Sequence, residues 1–405
     1  MNVSTNISNS LELNQISALE MLGNVASQIN VDAFLIGGSV RDLILGIKLK
    51  DIDVCVESDI QTFIDAIPSK DIEICSVSQF GTAKIKIFGQ TIDLAMTRTE
   101  FYSESGVLPT VVFSNIYDDI YRRDFTVNTM CVFLNSNRWG DLLDKFGGLS
   151  DLESRKIRAL HPTSFIDDPT RVFRAFRYAS RLEFKIEKIT SASIELDEIK
   201  KLSGIRISNE LKRIFSEGKF IKILEELEDF GVLRSVYNNL FLSDHLLHVF
   251  SNNHEAIVRY PDYGILAMAF DISDMKHRIE FSTRLQLPKN LIKAIDDIKY
   301  IEKMPSEKPS ELYYLLNDVS ELTLAVAKLY KSKEIKDQID LFLNKLKHTK
   351  LKINGEDLLK KGISGPDIGY MLKKIKSILL DDGVADNKSD QMLILDQLII
   401  ENNET

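Results

Sequence analysis

The apolar pattern of this chain changes once, and that change limits the folds open to it. Up to Gly147-Gly148 short strand-like and helix-like runs alternate. From about residue 165 to 400 the spacing is helical and strand signals nearly vanish. Ala33–Ile36, Asp51–Val56, Glu73–Val77, Thr82–Phe88 and Thr91–Met96 read as extended. Residues 11–30, Val40–Leu45 and Gln61–Ala66 read as helices. Gly89-Gln90, between two β-rich runs, is a hairpin signature. The chain is therefore expected to be α+β: a mixed, partly antiparallel sheet with helices, then helices alone. Lys303–Lys308 and His348–Asn354 read as linkers, and residues 1–10 and 401–405 as frayed ends.

The 405 residues suffice for two or three domains with their own cores. Three widely spaced cysteines give neither a disulfide framework nor a metal pattern, as expected of a reducing compartment. No apolar run is long enough to span a membrane, and the first residues lack a leader's features. A cytoplasmic protein with no membrane partner is expected, and no obligate protein partner is evident. The net charge of −9 argues against a nucleic-acid partner, but a total hides distribution. Residues 155–224 hold 16 Lys/Arg and 9 Asp/Glu, a local positive surplus that Arg206, Lys212 and Arg213 continue. An RNA end can sit on such a track, although a charged helical face has the same composition.

The sharpest motif is Gly37-Gly38-Ser39-Val40-Arg41-Asp42, followed by Asp51-Ile52-Asp53. Two glycines between an apolar strand and a helix start allow a close turn with free N–H groups, which suits phosphate. Gly38 and Arg41 are the candidate phosphate contacts. Neither the P-loop nor the dinucleotide fingerprint is present. Asp51 and Asp53 alternate along the expected strand and so share a face. Asp93, on a neighbouring run, offers a third carboxylate. Carboxylates beside a phosphate seat suit Mg²⁺, which takes one or two of them plus substrate phosphates. A lone Asp-x-Asp on a strand is mostly a solvated edge; the glycine motif beside it is what sharpens the reading.

Two further motifs carry chemistry. Arg123-Asp124-Phe125-Thr126-Val127-Asn128 groups a guanidinium, a carboxylate and an amide. Asp124 can accept from a ribose hydroxyl, and Arg123 can hold triphosphate or base. Asp168-Pro169-Thr170-Arg171 opens an expected helix on which Arg171, Arg174 and Arg177 recur every third residue. A solvated arginine stripe is the plain alternative. The sharper reading pairs an acceptor, Asp168, with a donor, Arg171. Cytosine and adenine match that pair through an exocyclic amine and a ring nitrogen; uracil and guanine present the opposite polarity.

These motifs, in this order, resemble the nucleotidyltransferase superfamily related to DNA polymerase β. More narrowly, the chain resembles class II tRNA nucleotidyltransferases (CCA-adding enzymes) and bacterial poly(A) polymerases. Gln79–Thr82, Thr97–Glu100, Gly106–Pro109, Asp144–Leu152, Ile353–Leu359 and Gly365–Gly369 extend the resemblance over nearly the whole chain. It implies a polymerase-β-like nucleotidyltransferase head at 1–150. A helical neck at 151–225, a body at 226–303 and a tRNA-binding tail at 304–405 would follow. It implies Mg²⁺-dependent addition of CCA to the tRNA 3′ end from CTP and ATP. The 3′-hydroxyl would attack the α-phosphate and release pyrophosphate.

Asp51 and Asp53 would hold metal, with Asp93 joining them in catalysis. Gly38, Arg41, Arg123, Asp124, Asn128, Asp168, Arg171, Arg174 and Arg177 would bind nucleotide, and Arg206, Lys212 and Arg213 RNA. Asp167 stands where the family usually has Glu. The uninterrupted 97–119 segment favours adding A as well as C. A-only, CC-only and poly(A) addition share these motifs, and a non-catalytic RNA-binding protein on the same fold is the alternative of another class. Asp244-His245 reverses the order a metal phosphohydrolase needs, so these histidines read as structural.

Overall fold

The computed structural model describes residues 1–49, 51–78, 80–101, 110–383 and 387–403. It divides into two compact units, residues 1–238 and 239–405. Gly106–Pro109 and most of the 97–119 segment's centre lie outside the described residues, as do Lys50 and Gln79.

Up to residue 147 the described part of the first unit holds nine strands. These are β1 (Ala33–Ile36), β2 (Asp53–Val56), β3 (Ile72–Ser78), β4 (Thr82–Ile87), β5 (Gln90–Met96), β6 (Arg98–Phe101), β7 (Thr110–Phe113), β8 (Cys131–Phe133) and β9 (Leu142–Leu143). Seven form one sheet in the order β3-β4-β5-β2-β1-β8-β9, and β6 pairs with β7. Within the large sheet β2 and β5 run parallel and the other pairs antiparallel, as the mixed expectation required. Phe34, Ile36, Cys55, Cys131 and Phe133 cover one region of the sheet and pack on Ile116 and Ile120 of the helix Ile116–Tyr121. Helix Leu13–Gln28 approaches the chain so closely at Gly23 that a Cβ there would lie 1.8 Å from the Leu134 carbonyl oxygen.

Several boundaries differ from the sequence expectation. Strand β2 begins at Asp53, where pairing with Asp93 of β5 begins, so Asp51 sits before it on an exposed bend. The hairpin between β4 and β5 turns on Phe88 and Gly89, both with positive φ, and Gln90 already pairs with Ile87. Residues 1–10 are not frayed. Ser4–Ser10 is helical, Val3 and Ile7 are fully buried, and Asn2 bridges to Asp141. Apolar residues four apart at 3 and 7 supply the buried stripe that holds this segment. Glu401–Asn403 continue the last helix, and residues 404 and 405 lie outside the description.

Beyond residue 147 the described chain is helical except for the short parallel pair Lys156–Ile157 and Lys185–Ile186. Helix Thr170–Leu182 buries Val172, Phe173, Ala175 and Phe176, and helix Gly204–Phe215 packs beside it. The second unit runs through helices from Asp244–Asn252 to Lys388–Asn403. Its last part closes on Leu358, Met371, Ile375, Leu379, Leu395 and Leu398. His245 lies edge-on to Tyr330, whose hydroxyl donates to Asp271 at 2.7 Å. Among the described residues no helix is long and apolar enough to cross a membrane.

Candidate active site

Backbone geometry places the glycine motif. Gly37 has φ +64°, a region L side chains rarely adopt, and a Cβ there would meet Arg123 Nη1 at 2.7 Å. Two reasons thus select glycine at the junction of β1 and helix Gly38–Ile44. Ser39 follows and ties the helix to the carboxylate strand. Its hydroxyl accepts the Asp53 N–H at 3.0 Å. It also lies within donating distance of the Asp51 carbonyl oxygen (3.2 Å) and of Asp53 Oδ2 (3.3 Å).

Asp53 and Asp93 are register partners on the parallel strands β2 and β5. Burial and then the Asp93 carboxylate raise the Asp53 pKa, against the pull of Arg123. Lys84 Nζ stands 2.9 Å from Asp93. No cluster of three or more His, Cys, Asp or Glu among the described residues forms a metal cage by itself. The donor set fits a divalent ion that takes two carboxylates from the protein and its remaining ligands from phosphate and water.

Arginines dominate the rest of the cleft, which encloses about 1600 Å³. Arg41 donates through Nη1 to Asn128 (2.8 Å) and through Nε to Asp42 (2.7 Å). Asn128 in turn donates to Asp124 at 3.0 Å. Both oxygens of Asp124 are engaged, Oδ2 by Arg174 Nε at 2.8 Å. In the buried site the Asp124 carboxylate pairs with Arg174 in a clasp. Burial alone would raise the Asp124 pKa, but Arg174 and Asn128 hold it down to about 2.

Arg123 is likewise committed. Arg122 and Arg123 grip the two oxygens of the fully buried Asp119, each at 2.8 Å. Burial works to lift the Asp119 pKa, yet these two guanidiniums keep it below its ordinary value. Asp119 was not foreseen as part of the site, although Arg122 and Arg123 follow it at the spacing of local ion pairs.

The clasp at Asp124 carries a pH prediction. Its folded pKa, about 2, lies below the ordinary 3.8. A depressed carboxylate stabilises the fold above its unfolded pKa and loses that contribution as pH falls through the folded value. The contribution, about 2 kcal/mol, is thus expected to disappear between pH 4 and 2. Urea midpoints for wild type and Asp124→Asn should converge across that window, and a constant gap would remove the clasp.

Asp168 and Arg171, the expected base-reading pair, also line the cleft. Asp168 Oδ1 accepts the Thr170 N–H (3.0 Å), the Thr170 hydroxyl (2.6 Å) and Arg206 Nη2 (2.7 Å). Among the described residues Oδ2 is left to a ligand. Arg171, 5% exposed, donates through Nη1 to the Ser164 hydroxyl (2.7 Å) and through Nη2 to the Arg122 carbonyl (2.6 Å). A second Nη1 bond goes to the Ser164 carbonyl at 3.3 Å, so of its five N–H groups Nε–H and one on Nη2 remain among the described residues. Arg171 and Arg177 are buried, so the stripe is not a solvated face. Arg177 faces Glu217, as does Arg181.

Arg206, expected on an RNA track, lines the cleft, where its guanidinium holds Asp168. Arg213 pairs with Glu210 and lines the cleft; Lys212 does not line it. Tyr178, which reads as core from sequence, is half-buried and lines the cleft as well. Gly38, Asp51, Asp53, Asp93, Arg123 and Asp124 all border it too. Paired carboxylates at one end and arginines at the other define a site for a phosphate-bearing ligand and its base.

Comparison with known proteins gives that class a family. Residues 33–158 match the poly A polymerase head domain, and 183–241 match the family described as the probable RNA and SrmB-binding site of polymerase A. An A-adding tRNA nucleotidyltransferase of Geobacter sulfurreducens is 32% identical over 94% of this chain. The chain spans 46% of that relative's length. The apo form II structure of a CCA-adding enzyme is 30% identical with a TM-score of 0.79, each chain covered to 99%. The Thermotoga maritima CCA-adding enzyme complexed with tRNA is 30% identical with a TM-score of 0.71, covering 98% of this chain and 99% of its own. The chain belongs to the class II tRNA nucleotidyltransferase family.

Proposed function

We propose that the protein adds nucleotides without a nucleic-acid template to the 3′ end of tRNA, completing CCA from CTP and ATP. The observation that carries this reading is the pairing of Asp168 and Arg171 in one cleft with Asp53 and Asp93. Asp168 Oδ2 accepts the exocyclic amine of cytosine or adenine, and Arg171 donates to the adjacent ring nitrogen. Neither uracil nor guanine satisfies both groups, and an unpaired polar group in a closed site is costly. Arg206 keeps Asp168 aimed, while Ser164 and the Arg122 carbonyl fix Arg171.

Asp51 and Asp53, with Asp93 beside them, would hold a divalent cation such as Mg²⁺, which when bound would supply activation of the attacking hydroxyl and charge compensation for the leaving pyrophosphate. Arg41, Arg174 and Arg177 orient the triphosphate, and Gly38 lets it approach the backbone. The 3′-oxygen of the RNA then attacks the α-phosphorus, and pyrophosphate departs. The four-part division into head (1–150), neck (151–225), body (226–303) and tail (304–405) belongs to this proposal, with the tail meeting tRNA.

The A-adding relative favours a second reading, addition of the terminal A alone. Labelled CTP and ATP offered with tRNA lacking CCA, tRNA ending in CC and a generic RNA separate these readings. CMP and AMP incorporation into the first substrate is expected. AMP incorporation into the second alone would establish A-addition. Long A tracts on generic RNA would show poly(A) synthesis, and no incorporation anywhere would overturn the proposal.

A further inference from the structure

One ring in the cleft is surrounded by cations. The guanidinium carbons of Arg41, Arg174, Arg177 and Arg181 lie 5.4, 5.3, 5.0 and 5.6 Å from the centroid of Tyr178. Arg174 Nη2 also donates to the Tyr178 hydroxyl at 3.1 Å. The ring is held in turn by Phe125, edge-on at 6.0 Å. Arg41 comes from the helix after β1, and the other three from the helix Thr170–Leu182. The ring is thus the shared neighbour of guanidiniums from two distant stretches of sequence.

Charge counting shows why such a neighbour matters. The four arginines face three carboxylates: Asp42 at Arg41, Asp124 at Arg174, and Glu217 shared by Arg177 and Arg181. One positive charge is in excess within this group. Arg177 is 94% buried by its 6% exposure, and its Nε has no hydrogen-bond partner. Like charges at this density repel and would spread their side chains over many rotamers. An aromatic face attracts guanidinium groups within about 6 Å of its centroid, more strongly as water is excluded. The ring therefore offsets repulsion with no negative charge that would compete with an incoming phosphate chain.

We infer that Tyr178 is a positioning residue: its ring gathers Arg41, Arg174 and Arg177 into a preformed receptor for the triphosphate of the nucleotide substrate. The inference rests on the nucleotide-binding reading above. The ring is the active part, and the hydroxyl adds one bond to Arg174. Arginines already gathered lose little side-chain entropy when phosphate arrives, which is the gain of preorganisation.

The test uses the full chain with Tyr178→Leu, Tyr178→Phe and, should the leucine variant not fold, Tyr178→Met. Equilibrium binding of ATP and of inorganic tripolyphosphate is measured beside KM and kcat for ATP. The aliphatic variant is expected to weaken both ligands about tenfold or more and to raise KM for ATP alike, with kcat little changed. The phenylalanine variant should restore most of the binding. An unchanged tripolyphosphate affinity in the aliphatic variant would overturn the inference. So would a phenylalanine variant as weak as the aliphatic one. Ring-dependent tripolyphosphate binding in a protein that extends no tRNA would sink the proposed function and leave this inference standing.

Discussion

Replacing Asp53 by alanine is expected to lower nucleotide addition to tRNA by about a thousandfold or more. Asp53 is the first residue of β2 and faces Asp93 in register on β5. Strand pairing on one side and Ser39 on the other fix where its carboxylate stands. A cation held by such a pair contributes several kcal/mol of transition-state stabilisation, and each 1.36 kcal/mol is tenfold in rate. The fold should not suffer. Burial and the facing Asp93 oppose ionisation of Asp53, so its removal relieves a repulsion. Single-turnover extension and the melting temperature therefore move in different directions: activity falls, while Tm holds or rises. A variant that keeps a tenth of the wild-type rate would remove Asp53 from the metal site.

The second large effect concerns choice of base. Asp168→Asn keeps the side chain's size but places donor hydrogens where an acceptor stood. Extension with CTP and with ATP is expected to fall on the order of a hundredfold, and the preference over UTP and GTP to shrink by a similar factor. The asparagine is preferred to alanine because Arg206 and the Thr170 N–H both need an oxygen at that position. Alanine would leave a guanidinium beside an apolar stub and confuse stability with specificity. Single-nucleotide kinetics with each of the four triphosphates measure the shift. Retained discrimination in the asparagine variant would show that other groups read the base.

What could be seen in the sequence was local. Gly38, Asp53 and the arginine spacing each declare themselves within a few residues, and each lies in the cleft. The positions of β1, β4 and β5 were legible for the same reason, since alternation and turns are short-range signals. Side-chain pairings across the sequence were not legible. Asp119 is the exception, because Arg122 and Arg123 follow it by three and four residues, a spacing that lets both pair with it. Nothing near Arg206 says that it will close on Asp168, 38 residues earlier. Tyr178 sits at a helical spacing that fits core packing, and only the fold reveals the guanidiniums around it. The Asp51–Val56 strand failed at its first residues because alternation in sequence does not say where a partner strand ends.

The Ser39 hydroxyl has one proton and two acceptors in reach, the Asp51 carbonyl oxygen and Asp53 Oδ2. It can therefore change partner by rotating about a single bond. When an incoming ligand claims Asp53, the proton turns to the backbone oxygen and no donor is orphaned. Filling the carboxylate site then costs no net hydrogen bond, and emptying it after turnover costs none either. Were the carboxylates to hold a cation as proposed, a hydroxyl with two acceptors in reach would serve the filled and the empty site alike.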